Sequence, residues 1–259
     1  MKFLEFPSLD VINKYLIFDT PDSKIYGRVE AFSCKSTGAD KKLFKQLETR
    51  HQEELTAYSL SPEQNPNLIV SPFGPFDQSS SRKTLFYLIS TLNASFPDYE
   101  FSDLKPEQFS KQPSLPMVMN SINTTLFSLG RADLIQTHRF WDVLDECITL
   151  SDCDVYSYVP DNDSDPFADE SSIWSFNYFF FNRKLKRILF FTCSSLSYQA
   201  PVREDDDISE SGSDVDSQKF VISKNFRIIQ YGTLTYPILH YFLCRGYAYE
   251  DYIMQDMDE

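Results

Sequence analysis

The stretch WSFNYFFFNRKLKRILFFTC, residues 174–193, decides the fold. Two aromatic-rich runs flank a knot of four cations. Along the first run Trp174, Phe176, Tyr178 and Phe180 share one face, while Ser175, Asn177 and Phe179 share the other. KRILFF repeats the alternation after the NRKLK turn, so the segment reads as a β-hairpin whose aromatics form core. The competing reading of the same rings, an exposed platform for stacked bases, needs a glycine-bearing RNP-like octamer, and none is present. Arg183, Lys184, Lys186 and Arg187 are then expected at an exposed turn, where solvation is the plain role. The functional role of such a cluster is docking to an acidic protein surface or an import receptor.

Working outward, CDVYSYVP reads as a third strand just before the hairpin, and YLIFDTPDSKIYGRVEAFSCK as two more around Pro21, Asp22 and Ser23. SLDVINKY spaces Leu9, Ile12 and Leu16 as a helix after a Ser8 cap. ADKKLFKQLETRHQEELTAYSL repeats Leu43, Phe44, Leu47 and Leu55 at helical spacing, and SRKTLFYLISTLNASF is a helix capped by Ser80 or Ser81. SLPMVMNSINTTLFSL and HRFWDVLDECI complete the helices. The expected fold is a single α+β domain: about five largely antiparallel strands, with helices inserted between the second and third. Residues 60–80 hold four prolines and no periodicity, which marks a mobile linker. The organisation is thus a first block at 1–59, the linker at 60–80, a second block of the same core at 81–198, and an acidic, disordered tail at 199–259.

Charge is segregated. The chain has 259 residues and a formal net charge of −14, yet residues 152–170 hold seven acids and no base, 201–217 seven acids and one base, and 249–259 five acids and no base. The remainder is mildly basic, so the core and its acidic appendages differ in sign. Seven glycines and the absence of GxGxxG, GxxxxGK[ST] and GxSxG patterns argue against phosphate-cradling and nucleophile-elbow enzymes. Cys34, Cys147, Cys153, Cys193 and Cys244 are scattered without a CxxC pair, as in a reduced intracellular protein with neither disulfide framework nor zinc site. His51, His138 and His240 are isolated, with no metal spacing and no nucleophile to serve. Asp161, Asp163 and Asp165 match the first ligand spacings of an EF-hand loop, but Pro166 stands where Gly is needed and Ser172 where Glu is needed. A magnesium-dependent aspartyl phosphatase would require a doubly wound parallel sheet. The expectation is a protein without enzymatic activity, metal or cofactor.

SRKTLFYLISTLNASFPDYEFS, DVYSYVPDNDSDPF and WSFNYFFFNRKLKRILFF resemble the central and C-terminal signature blocks of the eukaryotic Maf family of RNA polymerase III repressors, and GRVEAFSCK with DKKLFKQLE resembles its first block. The resemblance spans residues 1–198. It implies an antiparallel α+β core split by a mobile linker. It also implies a non-enzymatic repressor that binds the polymerase, blocks its recruitment to promoter-bound initiation factor, and shuttles between cytoplasm and nucleus under a kinase and a phosphatase of nutrient and stress signalling. An import receptor is then a further partner. On this basis the partner-binding surface combines Arg183, Lys184, Lys186 and Arg187 with Asp161, Asp163 and Asp165. Ser61 and Ser71, each followed by proline in the linker, are the expected phosphorylation sites, suited to proline-directed or TOR-type kinases.

The alternative function is a nucleic-acid-binding regulator using the cations of 182–187, but an acidic protein of this balance is expected to bind nucleic acid weakly if at all. Residues 219–247 depart from the family's tail. Their uncharged run IIQYGTLTYPILHYFLC, 228–244, is short of a spanning helix and carries Gln230, Pro237 and His240, so no membrane partner is expected and the segment reads as a foreign insertion.

Overall fold

The computed structural model describes residues 1–59, 70–160 and 172–198. Strand β1 (Lys2–Leu4) leads into helix α1 (Pro7–Tyr15), then β2 (Ile17–Asp19) and the long β3 (Ser23–Ser33). Helix α2 (Gly38–Ser59) follows, then the short pair β4 (Val70–Ser71) and β5 (Gly74–Pro75), and α3 (Ser79–Ser95). After β6 (Phe109–Lys111) come α4 (Leu115–Ser128), α5 (Ala132–Gln136) and α6 (Phe140–Ile148). Strands β7 (Cys153–Tyr158), β8 (Ser172–Asn182) and β9 (Arg187–Ser197) close the described chain.

The sheet is seven-stranded, ordered β1-β3-β9-β8-β7-β6, with β2 also on β3 and every pairing antiparallel. The five expected strands are all present, with α2 to α6 inserted between β3 and β7. β1 and β6 were not foreseen: each is three residues long, below the length at which alternation is visible. Hairpin β8–β9 lies at the centre, and β9 is paired on both sides along its length.

Helices cover both faces of this sheet. Leu9 and Ile12 of α1 and Leu16 just after it, with Val118, Ile122, Phe140 and Leu144, close one face over Val29, Phe180, Leu189 and Phe191. Leu85, Leu88, Ile89 and Leu92 of α3, with Leu43 of α2, close the other over Phe32, Tyr156, Phe179, Phe181, Ile188 and Phe190. Phe179 and Phe190 stack at 4.7 Å between ring centroids. An aromatic run that places rings on both sides of a strand is stable only when both sides are taken from water, which requires two helical layers. That burial leaves no ring of Phe179, Phe180, Phe190 or Phe191 available for base stacking.

The middle of the β3 edge has no strand beside it, because β1 pairs near one end and β2 near the other. Helix α1 seals the gap. The Asn13 side chain donates from Nδ2 to the Val29 carbonyl at 3.0 Å and accepts from the Val29 N–H at 2.8 Å, replacing a peptide group of the missing strand. Gly27 donates to the Leu16 carbonyl at 2.9 Å. A Cβ at position 27 would lie 2.9 Å from Leu16 Cβ, so the approach needs glycine.

Helix starts follow partly different rules from those expected. Ser114 caps α4 by accepting from the Met117 N–H at 3.4 Å. Pro7, not a Ser8 cap, opens α1, and α3 begins after Gln78 without a side-chain cap, ahead of both Ser80 and Ser81. The linker boundary also moves. Residues 70–80 form the β4–β5 turn and the start of α3, anchored by the Ser81 hydroxyl donating to the Phe73 carbonyl at 3.2 Å and by Arg82 donating to the Phe76 and Asp77 carbonyls. The local fixing comes from tertiary contacts that proline content does not report.

Candidate functional site

The turn between β8 and β9 brings the four expected cations to one end of the sheet, but into two different situations. Asn182 sets the turn. Its Nδ2 donates to the Ile148 carbonyl at 2.8 Å at the end of α6, and its Oδ1 accepts from the Leu185 N–H at 2.9 Å. Lys186 then takes a left-handed backbone, φ +51°, which lets its carbonyl accept from the Cys34 N–H at 2.9 Å. A β-carbon in that conformation is strained by roughly 1–2 kcal/mol, held here by the bonds on both sides of the turn.

Arg183 folds back onto the protein. Its Nε donates to Asp154 Oδ2 at 2.9 Å, its Nη2 to Thr84 Oγ1 at 3.1 Å and to the Tyr156 hydroxyl at 3.2 Å, and its guanidinium lies 4.8 Å from the Phe181 ring centroid. The same Asp154 takes Lys111 Nζ on Oδ1 at 3.0 Å, so one carboxylate joins β6, β7 and the turn. Burial alone would raise the Asp154 carboxyl; hydrogen bonds from Arg183 and Lys111, with their charges, outweigh it and hold it below the usual carboxylate range. Arg187 is likewise committed, donating to the Cys147 carbonyl and lying 5.2 Å over the Phe6 ring.

The two lysines differ. Lys184 Nζ reaches Asp152 Oδ1 at 3.0 Å, but its side chain is 77% exposed, and Lys186 is exposed and pairs with no acid among the described residues. Leu185 between them is 49% exposed. The turn therefore offers a protruding Lys-Leu-Lys tip on an arginine-anchored base. Of the acids expected to share this surface, Asp161, Asp163 and Asp165 lie outside the described residues. Asp152 and Asp154 are the acids the fold sets beside the cations. The sequence signal that could have found them is the strand register, since Cys153 pairs with Asn182 and Asp154 with Phe181.

Ser61 lies outside the described residues. Ser71 is buried at 6% exposure in β4, its hydroxyl donating to the Gly74 carbonyl at 2.7 Å and accepting from the Phe73 N–H at 3.2 Å. This corrects the expectation of a freely accessible serine in an extended linker: a kinase reaches Ser71 only after the β4–β5 turn opens.

Nothing else described assembles chemistry. Among the described residues no three His, Cys, Asp or Glu side chains come together as a metal site. Burial raises the Cys34 and Cys153 thiols to about 12, away from thiolate reactivity. His138 stacks on Tyr15 at 3.8 Å and His51 meets Phe76 edge-on at 5.2 Å. A hollow of about 40 Å³ between α2 and α3 is lined by Phe44, Leu47, Arg50, Phe76 and Leu104, and its Arg50 is held by Asp103 and the Ser102 carbonyl. It is far below the size of a small-molecule site. No helix among the described residues is long and apolar enough to cross a membrane, and residues 219–247 lie outside them.

Comparison with known proteins connects this geometry to a family. The Maf1 regulator family model matches residues 25–192, from β3 to β9. The chain is 50% identical over 206 residues to the Schizosaccharomyces pombe repressor of RNA polymerase III transcription maf1, covering 78% of this chain and 86% of that protein. It is 37% identical over 257 residues to the Dictyostelium discoideum repressor of RNA polymerase III transcription, covering 83% and 90%. A crystal structure of citrus MAF1 superposes with a TM-score of 0.55 at 38% identity, covering 73% of this chain and 98% of the citrus chain. The match runs through the doubly covered sheet and both strands that carry the charged turn, and the chain belongs to the Maf1 regulator family.

Proposed function

We propose that this chain is a negative regulator of RNA polymerase III transcription that acts by binding the polymerase. The observation that carries the reading is the 50% identity, over most of both chains, to a protein named as a repressor of that enzyme's transcription. The described fold fits a binding role. The central hairpin's rings Phe179, Phe180, Phe190 and Phe191 are spent on core, and its turn exposes a charged tip of the kind that steers encounter and fixes register with a partner.

In this reading the partner surface centres on Lys184, Leu185 and Lys186, with Arg183 and Arg187 aiming the tip through their bonds to Asp154 and the end of α6, and Asp152 beside the tip on the acidic side. Asp161, Asp163 and Asp165 extend the acidic side. Occupying the polymerase there blocks its recruitment to promoter-bound initiation factor. Phosphorylation at Ser61, or at Ser71 after local opening, adds roughly −1.5 to −2 charge per site and opposes docking. Removal of the phosphates and import into the nucleus restore it.

The test is capture of purified RNA polymerase III by the immobilised full chain, with factor-directed transcription measured in parallel. Stoichiometric capture and loss of transcripts are expected. Absence of capture at low salt would overturn the reading.

A further inference from the structure

One side of the sheet end described above carries more positive charge than the turn itself. Lys2 opens β1, opposite Ser33 of β3, which is in turn opposite Arg187 of β9. Lys35 follows β3 directly, at the residue after Cys34, whose N–H bonds to Lys186. Helix α2 starts three residues further on, with Lys41 and Lys42 in its first turns. Lys2, Lys35, Lys41, Lys42 and Lys186 are all exposed, and none forms an ion pair among the described residues. The acids on this side are already used. Asp40 binds the Met1 amino group and the Thr37 N–H and hydroxyl, and Asp154 holds Lys111 and Arg183. Asp145, Glu146 and Asp152 sit across the end on the α6 side. The result is a pole of five unpaired lysines from β1, the β3–α2 connection, α2 and the β8–β9 turn, reinforced by the N-terminal dipole of a 22-residue helix.

We propose that the acidic C-terminal tail of this same chain docks on that pole. Charge is the first argument. Residues 201–217 hold seven acids against one base and residues 249–259 five acids and no base, in a chain that is mildly basic once these runs and the acidic stretch 152–170 are set aside.

Reach is the second. The chain leaves the described fold after Tyr198, at the opposite end of β9, where Tyr198 is tied to Asp19 and Asp22. β9 is 11 residues long, so at roughly 3.3 Å per residue the pole is about 36 Å away. An extended chain covers that span in about ten or eleven residues, which brings Glu210, Asp214 and Asp216 within range. For the terminal run, about fifty residues intervene, and a flexible chain of that length has an r.m.s. end-to-end distance of about 40 Å, close to the span.

Docked there, the tail covers Lys186 and competes with any acidic surface that approaches the turn. The inference goes beyond the repression reading and does not depend on it, since the contact lies within one purified chain.

The experiment is zero-length carbodiimide cross-linking of the purified full-length chain at low protein concentration, mapped by mass spectrometry. Cross-links from carboxylates of 210–216 and 250–259 to Lys2, Lys35, Lys41, Lys42 and Lys186 are expected. They should exceed several-fold those to Lys14 and Lys105, which are equally exposed but lie elsewhere on the fold. They should fade as sodium chloride is raised from about 50 mM to about 500 mM, as the Debye length shortens. In a second arm Lys35, Lys41 and Lys42 are changed to Gln, with unchanged melting as the folding check, and tail cleavage by a non-basic-specific protease is timed; faster cleavage is expected. Equal labelling of pole and reference lysines, or unchanged cleavage in the folded variant, would overturn the proposal.

Discussion

The base and the tip of the β8–β9 turn have the same sign and adjacent positions, yet they do different work. Arg183 and Arg187 at the base are consumed by the fold: one holds Asp154, Tyr156 and Thr84, the other the end of α6 and the Phe6 ring. Lys184 and Lys186 at the tip are largely in water. The planar guanidinium makes several fixed bonds at once, whereas a lysine is a point charge on a flexible stem, and the turn uses each accordingly. A cluster of four cations is thus two structural residues and two available ones. Reversing all four charges would confuse unfolding with loss of binding.

The largest effect that sharpens this comparison lies beneath the turn. Phe179 is fully buried and stacked on Phe190, so Phe179→Ala should cost about 3–5 kcal/mol in urea denaturation, with any binding defect tracking the unfolded fraction. Arg183→Ala comes next. It strips charge-assisted bonds from a half-exposed side chain and should cost about 1–2 kcal/mol, read as a shift in the urea midpoint at constant slope. A neutral result there would place Arg183 with the lysines and break the division.

The pH dependence of the base is a third check. Asp154 has a carboxyl held lower in the folded chain than in the unfolded one. Its contribution is therefore present above the unfolded carboxylate range, near pH 4, and is lost as pH falls through the lower folded value. Acid titration of stability should show a shallower decline below that range in Asp154→Asn than in the natural chain; parallel curves would contradict the role given to this carboxylate. The smallest effect is at the tip. Lys186→Gly relieves a left-handed residue at the expense of unfolded-state entropy and should change stability by no more than about 1 kcal/mol, in the stabilising direction.

Much of this architecture was legible because periodicity carries it. The alternation of 174–193 gave the central hairpin, and the helical spacing in 81–96 gave α3. What alternation could not say is how many faces are covered. Phe179 shares a face with Ser175 and Asn177, polar residues that in a sequence do not separate a solvated face from a covered one; Asn177 is buried and satisfied by the Thr192 hydroxyl. The same limit applied to the site. Charge in a sequence does not show its partners: Asp154 and Arg183 are 29 residues apart and meet only through the β7–β8 register. The proline-rich stretch misled in the other direction, since Ser71 is tied down by a two-residue strand and a neighbouring helix that proline content does not forecast. The Asn13 seal on the β3 edge had no sequence signal, because a lone amide on an amphipathic helix reads as solvated.

The most direct test of the account is polymerase capture by the full chain carrying Lys184→Glu and Lys186→Glu together, with the melting temperature measured on the same preparation. The account predicts an unchanged melting temperature, because neither side chain holds the fold, and at least a tenfold loss of capture, equivalent to about 1.4 kcal/mol. Full capture by this folded variant would contradict the assignment of the turn tip as the polymerase-binding surface.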